Sequence, residues 1–137
     1  MKLKPYLGAQ KEINVGSPCL IESDAIDQTY GVVFEDEGET GYFYARDYVV
    51  KDELFVDALH IYTVKHVVNT NISSSVRIIW SNDWSKAALL INDLPHAMFD
   101  FIQKVGYSID QFPEPDPNLG WRRAPWSNSL KSSFYGK

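Results

Sequence analysis

Residues 29–35 (TYGVVFE) and 40–46 (TGYFYAR) are rich in aromatic and β-branched side chains, and only Asp36-Glu37-Gly38-Glu39 separates them. Such runs suit a pleated, half-buried surface. A short polar loop with a glycine, which adopts positive φ without steric penalty, joins them as a hairpin. An isolated hairpin is marginal in water, so the rest of the chain must supply strands that pack with it. Residues 18–22 (PCLIE) read as a strand between Gly16-Ser17 and Ser23-Asp24. Residues 55–68 (FVDALHIYTVKHVV) read as a long or bent strand, because Ile61, Tyr62, Thr63, Val64, Val67 and Val68 outweigh a helix-tolerant centre. Residues 75–80 (SVRIIW) and 86–91 (KAALLI) flank Ser81-Asn82-Asp83-Trp84-Ser85 as a second hairpin.

The pattern changes after residue 92. Asp93 is placed to cap a helix opening at Leu94-Pro95, where the missing proline N–H costs nothing. Leu94, Met98, Phe101, Ile102 and Val105 form one apolar stripe at helical spacing, and Gly106 suits the C-terminal αL position. Beyond residue 110, Phe112-Pro113-Glu114-Pro115-Asp116-Pro117 has proline at every second position and favours extended chain. The tail still carries Trp121, Trp126, Phe134 and Tyr135, so it is expected to wrap back onto the domain, the alternative being a segment that docks on a partner chain. The expected fold is α+β: an antiparallel, curved sheet of about five or six strands with one C-terminal amphipathic helix and an extended aromatic tail. At 137 residues this is a single domain, with an N-terminal arm at 1–12, mainly strands at 13–92, the helix at 93–106 and the extended tail at 107–137.

Charge narrows the function. The net charge of −5 is concentrated in residues 22–57, where eleven acids stand against Arg46 and Lys51. Lys and Arg are not clustered as phosphate binding requires, which argues against nucleic acid. No apolar run approaches the ~20 residues of a membrane helix, and the basic N-terminal stretch lacks the apolar segment of a secretory signal. A cytoplasmic location is the expectation. The lone Cys19 excludes an internal disulfide and, with no basic neighbour, reads as a buried small hydrophobe.

Strong catalytic motifs are absent: there is no glycine-rich phosphate loop, G-x-S-x-G, H-E-x-x-H or C-x-x-C. His60 and His66 would stand about 20 Å apart on a strand and diverge on a helix, so they do not make a zinc pair. The acidic loop 35–39 lacks the ligand order of a calcium loop. Neither a metal nor a cofactor is expected. The aromatic residues and the acidic hairpin are the better candidates. Asp36, Glu37 and Glu39, together with Trp84, Trp121 and Arg122, suit a partner-binding surface, because Trp, Tyr and Arg dominate binding hot spots. The competing role for the tryptophans is to plug the ends of the sheet. Tyr42, Tyr44, His60 and Arg77 are the polar groups a pocket between sheet and helix would use.

The stretch 31–45, GVVFEDEGETGYFYA, resembles the central motif of a family of small bacterial proteins of unknown function. The resemblance extends over residues 15–105, implies a bacterial cytosolic protein and supplies no catalytic residues. Size, acidity and the lack of catalytic motifs are also characters of immunity proteins of bacterial toxin systems.

The leading expectation is therefore a non-enzymatic protein-binding module, immunity-like or regulatory, with a basic protein partner attracted by complementary charge. The second is a small-ligand binder or enzyme with its pocket between sheet and helix. Open strand edges also make a homodimer an expectation to test.

Overall fold

The computed structural model describes residues 5–127 and 129–130, which form ten strands in two sheets. The strands are β1 (Tyr6–Ile13), β2 (Cys19–Asp24), β3 (Tyr30–Asp36), β4 (Thr40–Asp47), β5 (Asp57–Thr63), β6 (Ser74–Trp80), β7 (Lys86–Ile91), β8 (Leu94–Asp100), β9 (Val105–Ser108) and β10 (Arg122–Pro125). One sheet runs β2-β3-β4-β5 and the other β1-β6-β7-β8-β9-β10, antiparallel throughout except that β10 lies parallel to β9. A short 3-10 turn, Val64–His66, follows β5.

The hairpin read at 29–46 is β3–β4, closed by a three-residue loop in which Gly38 takes φ of 110°. The expected strands at 18–22, 75–80 and 86–91 correspond to β2, β6 and β7. The run 55–68 is shorter than expected as a strand, ending at Thr63.

The expected α+β fold with a helix at 93–106 is overturned. That segment is the β-hairpin β8–β9, and the architecture is nearly all-β. Asn92 and Asp93 both have positive φ, 52° and 66°, between the paired Ile91 and Leu94. This is the two-residue loop whose twist matches a hairpin, so Asp93 turns the chain instead of capping a helix. Of the apparent helical stripe, Leu94 and Ile102 are exposed, at 65% and 70%. The true period is two: Ala97, Phe99 and Phe101 face the main core, while Met98 faces the other way. Both faces are buried, which makes the strand apolar along its length and removes the alternation that would reveal it. Of the expected N-terminal arm at 1–12, residues 6–12 belong to β1, which pairs with β6 from Tyr6↔Trp80 to Ile13↔Ser74, and residues 1–4 lie outside the described residues.

The sheets pack face to face. Phe34, Phe43 and Leu59 from the four-stranded sheet meet Ile78, Trp80, Leu89 and Phe99 from the other, all essentially without solvent exposure. Phe43 stacks on Phe99 across the interface, with ring centroids 5.1 Å apart. A second, smaller cluster of Ile79, Ala88, Leu90 and Met98 lies on the outer face of the six-stranded sheet, where Tyr107, Trp126 and Leu130 pack against it. The tail thus returns to the domain as expected, with Trp121 only 6% exposed and edge-on to Phe99 and Phe101. Phe134 and Tyr135 lie outside the described residues.

A polar link closes each side of the sandwich beside a glycine. At one, the Trp80 indole N–H donates to Ser23 Oγ at 2.9 Å, and a Cβ on Gly8 would strike both partners. At the other, Arg123 from β10 reaches Asp57 on β5, and a Cβ on Gly106 would stand 3.0 Å from each.

Candidate functional site

Alternation along the four-stranded sheet sends one set of side chains inward and leaves Leu20, Glu35, Tyr42 and His60 as one outward row, with Glu22, Val33, Tyr44 and Ala58 as the next. Tyr42 stacks on Tyr44 at 5.9 Å, Tyr44 stacks on Phe55 at 4.5 Å, and the Arg46 guanidinium lies over Phe55 at 5.4 Å. In the other direction His60 meets Tyr42 edge-on at 5.5 Å and Phe112 at 6.1 Å. The result is a continuous aromatic band, Phe112–His60–Tyr42–Tyr44–Phe55, across this face. Burial, and then the Glu35 carboxylate, push the Tyr44 phenol up, so it stays a neutral hydroxyl.

At the Phe55 end of the band the proline-spaced segment forms the far wall of a cleft of about 390 Å³. Its apolar lining includes Tyr44, Phe55, Pro113, Pro115 and Leu119, and beside buried Asp57 it holds three further acids, Glu53, Glu114 and Asp116. Those three carboxylates are exposed and make no ion pair among the described residues. The cleft's own cation is already engaged. Arg123 donates to Asp57 Oδ2 and Oδ1 at 2.6 and 2.7 Å, to the Ala58 carbonyl at 2.8 Å and to the Pro113 carbonyl at 3.0 Å. Burial pushes the Asp57 carboxyl up while the Arg123 guanidinium pulls it back.

At the other end His60 is held on all sides. Its Nδ1 lies 2.7 Å from Asp110 Oδ2 and its Nε2 3.0 Å from Thr63 Oγ1, while its backbone N–H donates to the Phe112 carbonyl at 2.7 Å. Residues three apart on a regular strand point to opposite faces. Here the register shifts opposite Gly41/Tyr42, leaving Ile61 unpaired, so His60 and Thr63 share a face.

Tyr42, Tyr44 and His60, read from the sequence as a group, are indeed together. Arg77 is not with them; it lies on β6 in the other sheet and pairs with Asp93 at 2.6 Å. The pocket expected between sheet and helix does not exist, because there is no such helix and the space between the sheets is filled by side chains. The hairpin acids divide. Glu37 and Glu39 are exposed, and the Thr40 hydroxyl and backbone N–H hold the Glu37 carboxyl below its usual range. Asp36 is turned inward with no exposure, accepting from Gly16 N–H, Gly38 N–H and the Tyr62 hydroxyl at 2.8, 2.8 and 2.7 Å. It therefore supports the hairpin and presents nothing to a partner. Trp84 stacks on Tyr6 at 4.7 Å and Trp121 is buried, so both plug the fold rather than project from it. Arg122 is exposed, with one guanidinium nitrogen 3.4 Å from the Gln103 carbonyl.

Sequence reasoning missed Phe55, Thr63, Asp110, Phe112 and Arg123. The available signal was the segment 112–117, where apolar, acidic and proline residues interleave without belonging to a strand or helix. Among the described residues no three His, Cys, Asp or Glu side chains converge as a metal site. Burial pushes the Cys19 thiol up, and among the described residues no helix is long and apolar enough to cross a membrane.

No solved structure matches the chain. A protein of Haemophilus influenzae (strain ATCC 51907 / DSM 11121 / KW20 / Rd), described as an uncharacterized protein, is 36% identical over 132 residues, covering 96% of this chain and 82% of the relative. Residues 13–135 match the family described as uncharacterized protein conserved in bacteria, DUF2251. With the match spanning both sheets and the cleft, the chain belongs to the DUF2251 family of bacterial proteins.

Proposed function

We propose that the protein is a recognition module for a basic segment of a protein partner, in an immunity-like or regulatory role. The cleft beside Phe55 carries this reading: ring and proline surfaces form its walls, and Glu53, Glu114 and Asp116 line it in no ion pair among the described residues, its Arg123 being held by Asp57. Lys and Arg side chains lay their methylene stems on such apolar walls and place their charges against carboxylates and ring faces. Arg46 over Phe55 is an internal instance of the same contact. Exposed Glu37 and Glu39 extend the negative field along the sheet and favour encounter with a basic partner.

The test is isothermal titration of a short Arg/Lys-rich peptide into the protein and into the double variant Glu114→Lys/Asp116→Lys, both changes lying in an exposed segment. Binding weakens by about 1 kcal/mol, roughly fivefold in Kd, for each reversed charge, and weakens further with added salt. Equal affinity for wild type and variant, or equal affinity for an acidic peptide, overturns the reading.

A further inference from the structure

The geometry points to a second, separate site: we propose that Thr63 is a nucleophile activated by His60 and Asp110, and that it accepts acyl groups from carboxylic esters. Three groups stand in the order this chemistry requires. The carboxylate of Asp110 is 2.7 Å from His60 Nδ1, and His60 Nε2 is 3.0 Å from the Thr63 hydroxyl oxygen. With the Nδ1 proton on the Asp110 side, Nε2 is the free acceptor and the Thr63 O–H donates to it, which is the arrangement of a nucleophile, a base and an orienting acid.

Three further observations separate this from a simple fastening of the tail. Fastening is accomplished by the Nδ1–Asp110 contact and by the backbone bond from His60 N–H to the Phe112 carbonyl. The Nε2–Thr63 contact adds nothing to it, yet it exists only because the strand is bulged between His60 and Tyr62, which brings residues of opposite parity to one face. The imidazole is also fixed in orientation by the edge-on rings of Tyr42 and Phe112. Thr63 in turn lines a cleft of about 330 Å³ with Gly38, Glu39, Thr40, Val64 and Lys65, large enough for a small acyl group and distinct from the acid-lined cleft beside Phe55.

In the step proposed, the Thr63 oxygen forms a bond to the ester carbonyl carbon while its proton passes to His60 Nε2. The Lys65 ammonium is the positive charge on the cleft wall available to the carbonyl oxygen as it becomes an oxyanion. Collapse breaks the bond to the leaving alkoxide, which takes the proton from Nε2 and departs as an alcohol, leaving a Thr63 ester. Water then attacks that ester, giving its proton to Nε2. The second collapse returns this proton to Thr63 and releases the carboxylic acid.

The test uses p-nitrophenyl acetate on the full chain, following nitrophenol release by absorbance and the site of acetylation by peptide mass spectrometry. Wild type is acetylated at Thr63. Thr63→Val, which keeps the shape and removes the hydroxyl, loses both the adduct and the catalysed release, and Thr63→Ser restores them. Asp110→Asn, a change at a positioning residue, slows release by about a hundredfold or more, and thermal unfolding records any loss of tail fastening separately. Acetyl groups found only on lysines, or release unchanged in folded Thr63→Val, overturn the proposal.

Discussion

Arg123 grips Asp57 through both carboxylate oxygens, and the two residues belong to different sheets. Their side chains are 9% and 2% exposed, and the remaining guanidinium donors are taken by backbone carbonyls. Removing one partner leaves a largely buried charge unpaired. Arg123→Met is expected to cost about 3–5 kcal/mol in urea unfolding, and adding Asp57→Leu to recover much of that loss. A single-variant cost within error of zero would show that the pair does not join the sheets.

Tyr62 reaches Asp36 by passing over Gly41, whose Cβ, if present, would lie 2.6 Å from the phenol ring. Gly41→Ala should therefore displace the ring, open the Tyr62–Asp36 bond and cost about 2–4 kcal/mol from overpacking and a buried acceptor losing a donor. Tyr62→Phe, which loses only the hydroxyl, should cost less. The ordering of the two midpoints in denaturant checks this, and a Gly41→Ala protein as stable as wild type contradicts it.

The Asn92-Asp93 turn distinguishes a hairpin from a capped helix by the sign of one substitution. Both residues need positive φ, which glycine accepts freely, so Asp93→Gly is expected to be neutral or to stabilise by about 0.5 kcal/mol despite losing the exposed pair with Arg77. Helix capping would require the same change to destabilise. Thermal unfolding of this one variant reads the sign directly.

Asp83 gives a pH dependence. Burial raises its carboxyl, but the hydroxyls of Ser85 and Ser81, the Ser85 N–H and the Lys86 charge together outweigh that and hold it below the ordinary 3.8. A depressed carboxyl contributes stability above its unfolded value and loses it as pH falls through the folded one. The stability advantage of wild type over Asp83→Asn, measured by urea unfolding, should be present at neutral pH and shrink below about pH 4. An advantage unchanged at pH 2.5 refutes the assignment.

What the sequence showed depends on how many faces of each strand are wet. β3–β4 was legible because its aromatic runs are separated by an acidic loop with a glycine. β8 was not, because Phe99 enters one core and Met98 the other, and a strand buried on both faces carries no period-two mark. The same holds for the sites. Tyr42, Tyr44 and His60 could be grouped because they lie on neighbouring strands of a readable hairpin sheet. Their partners Phe55, Asp110 and Phe112 come from irregular chain, whose position is set by Arg123 and by backbone bonds such as His60 to Phe112, neither of which leaves a local pattern. The bulge that turns Thr63 toward His60 is a one-residue shift in pairing and has no composition of its own.

The distance in sequence between Arg123 and Asp57 has a consequence for how the protein is made. Asp57 is synthesised 66 residues before Arg123, and β1 must wait for β6. A nascent chain that has released the β2–β5 sheet still presents the faces of Phe43 and Leu59 without their cover, and the seam at Arg123 cannot close until β10 has left the ribosome. Contacts this distant in sequence fold slowly and expose strand edges in the interval. The protein is therefore most vulnerable to aggregation and proteolysis until Arg123 has emerged, and truncation anywhere ahead of Arg123 should make that vulnerable state permanent.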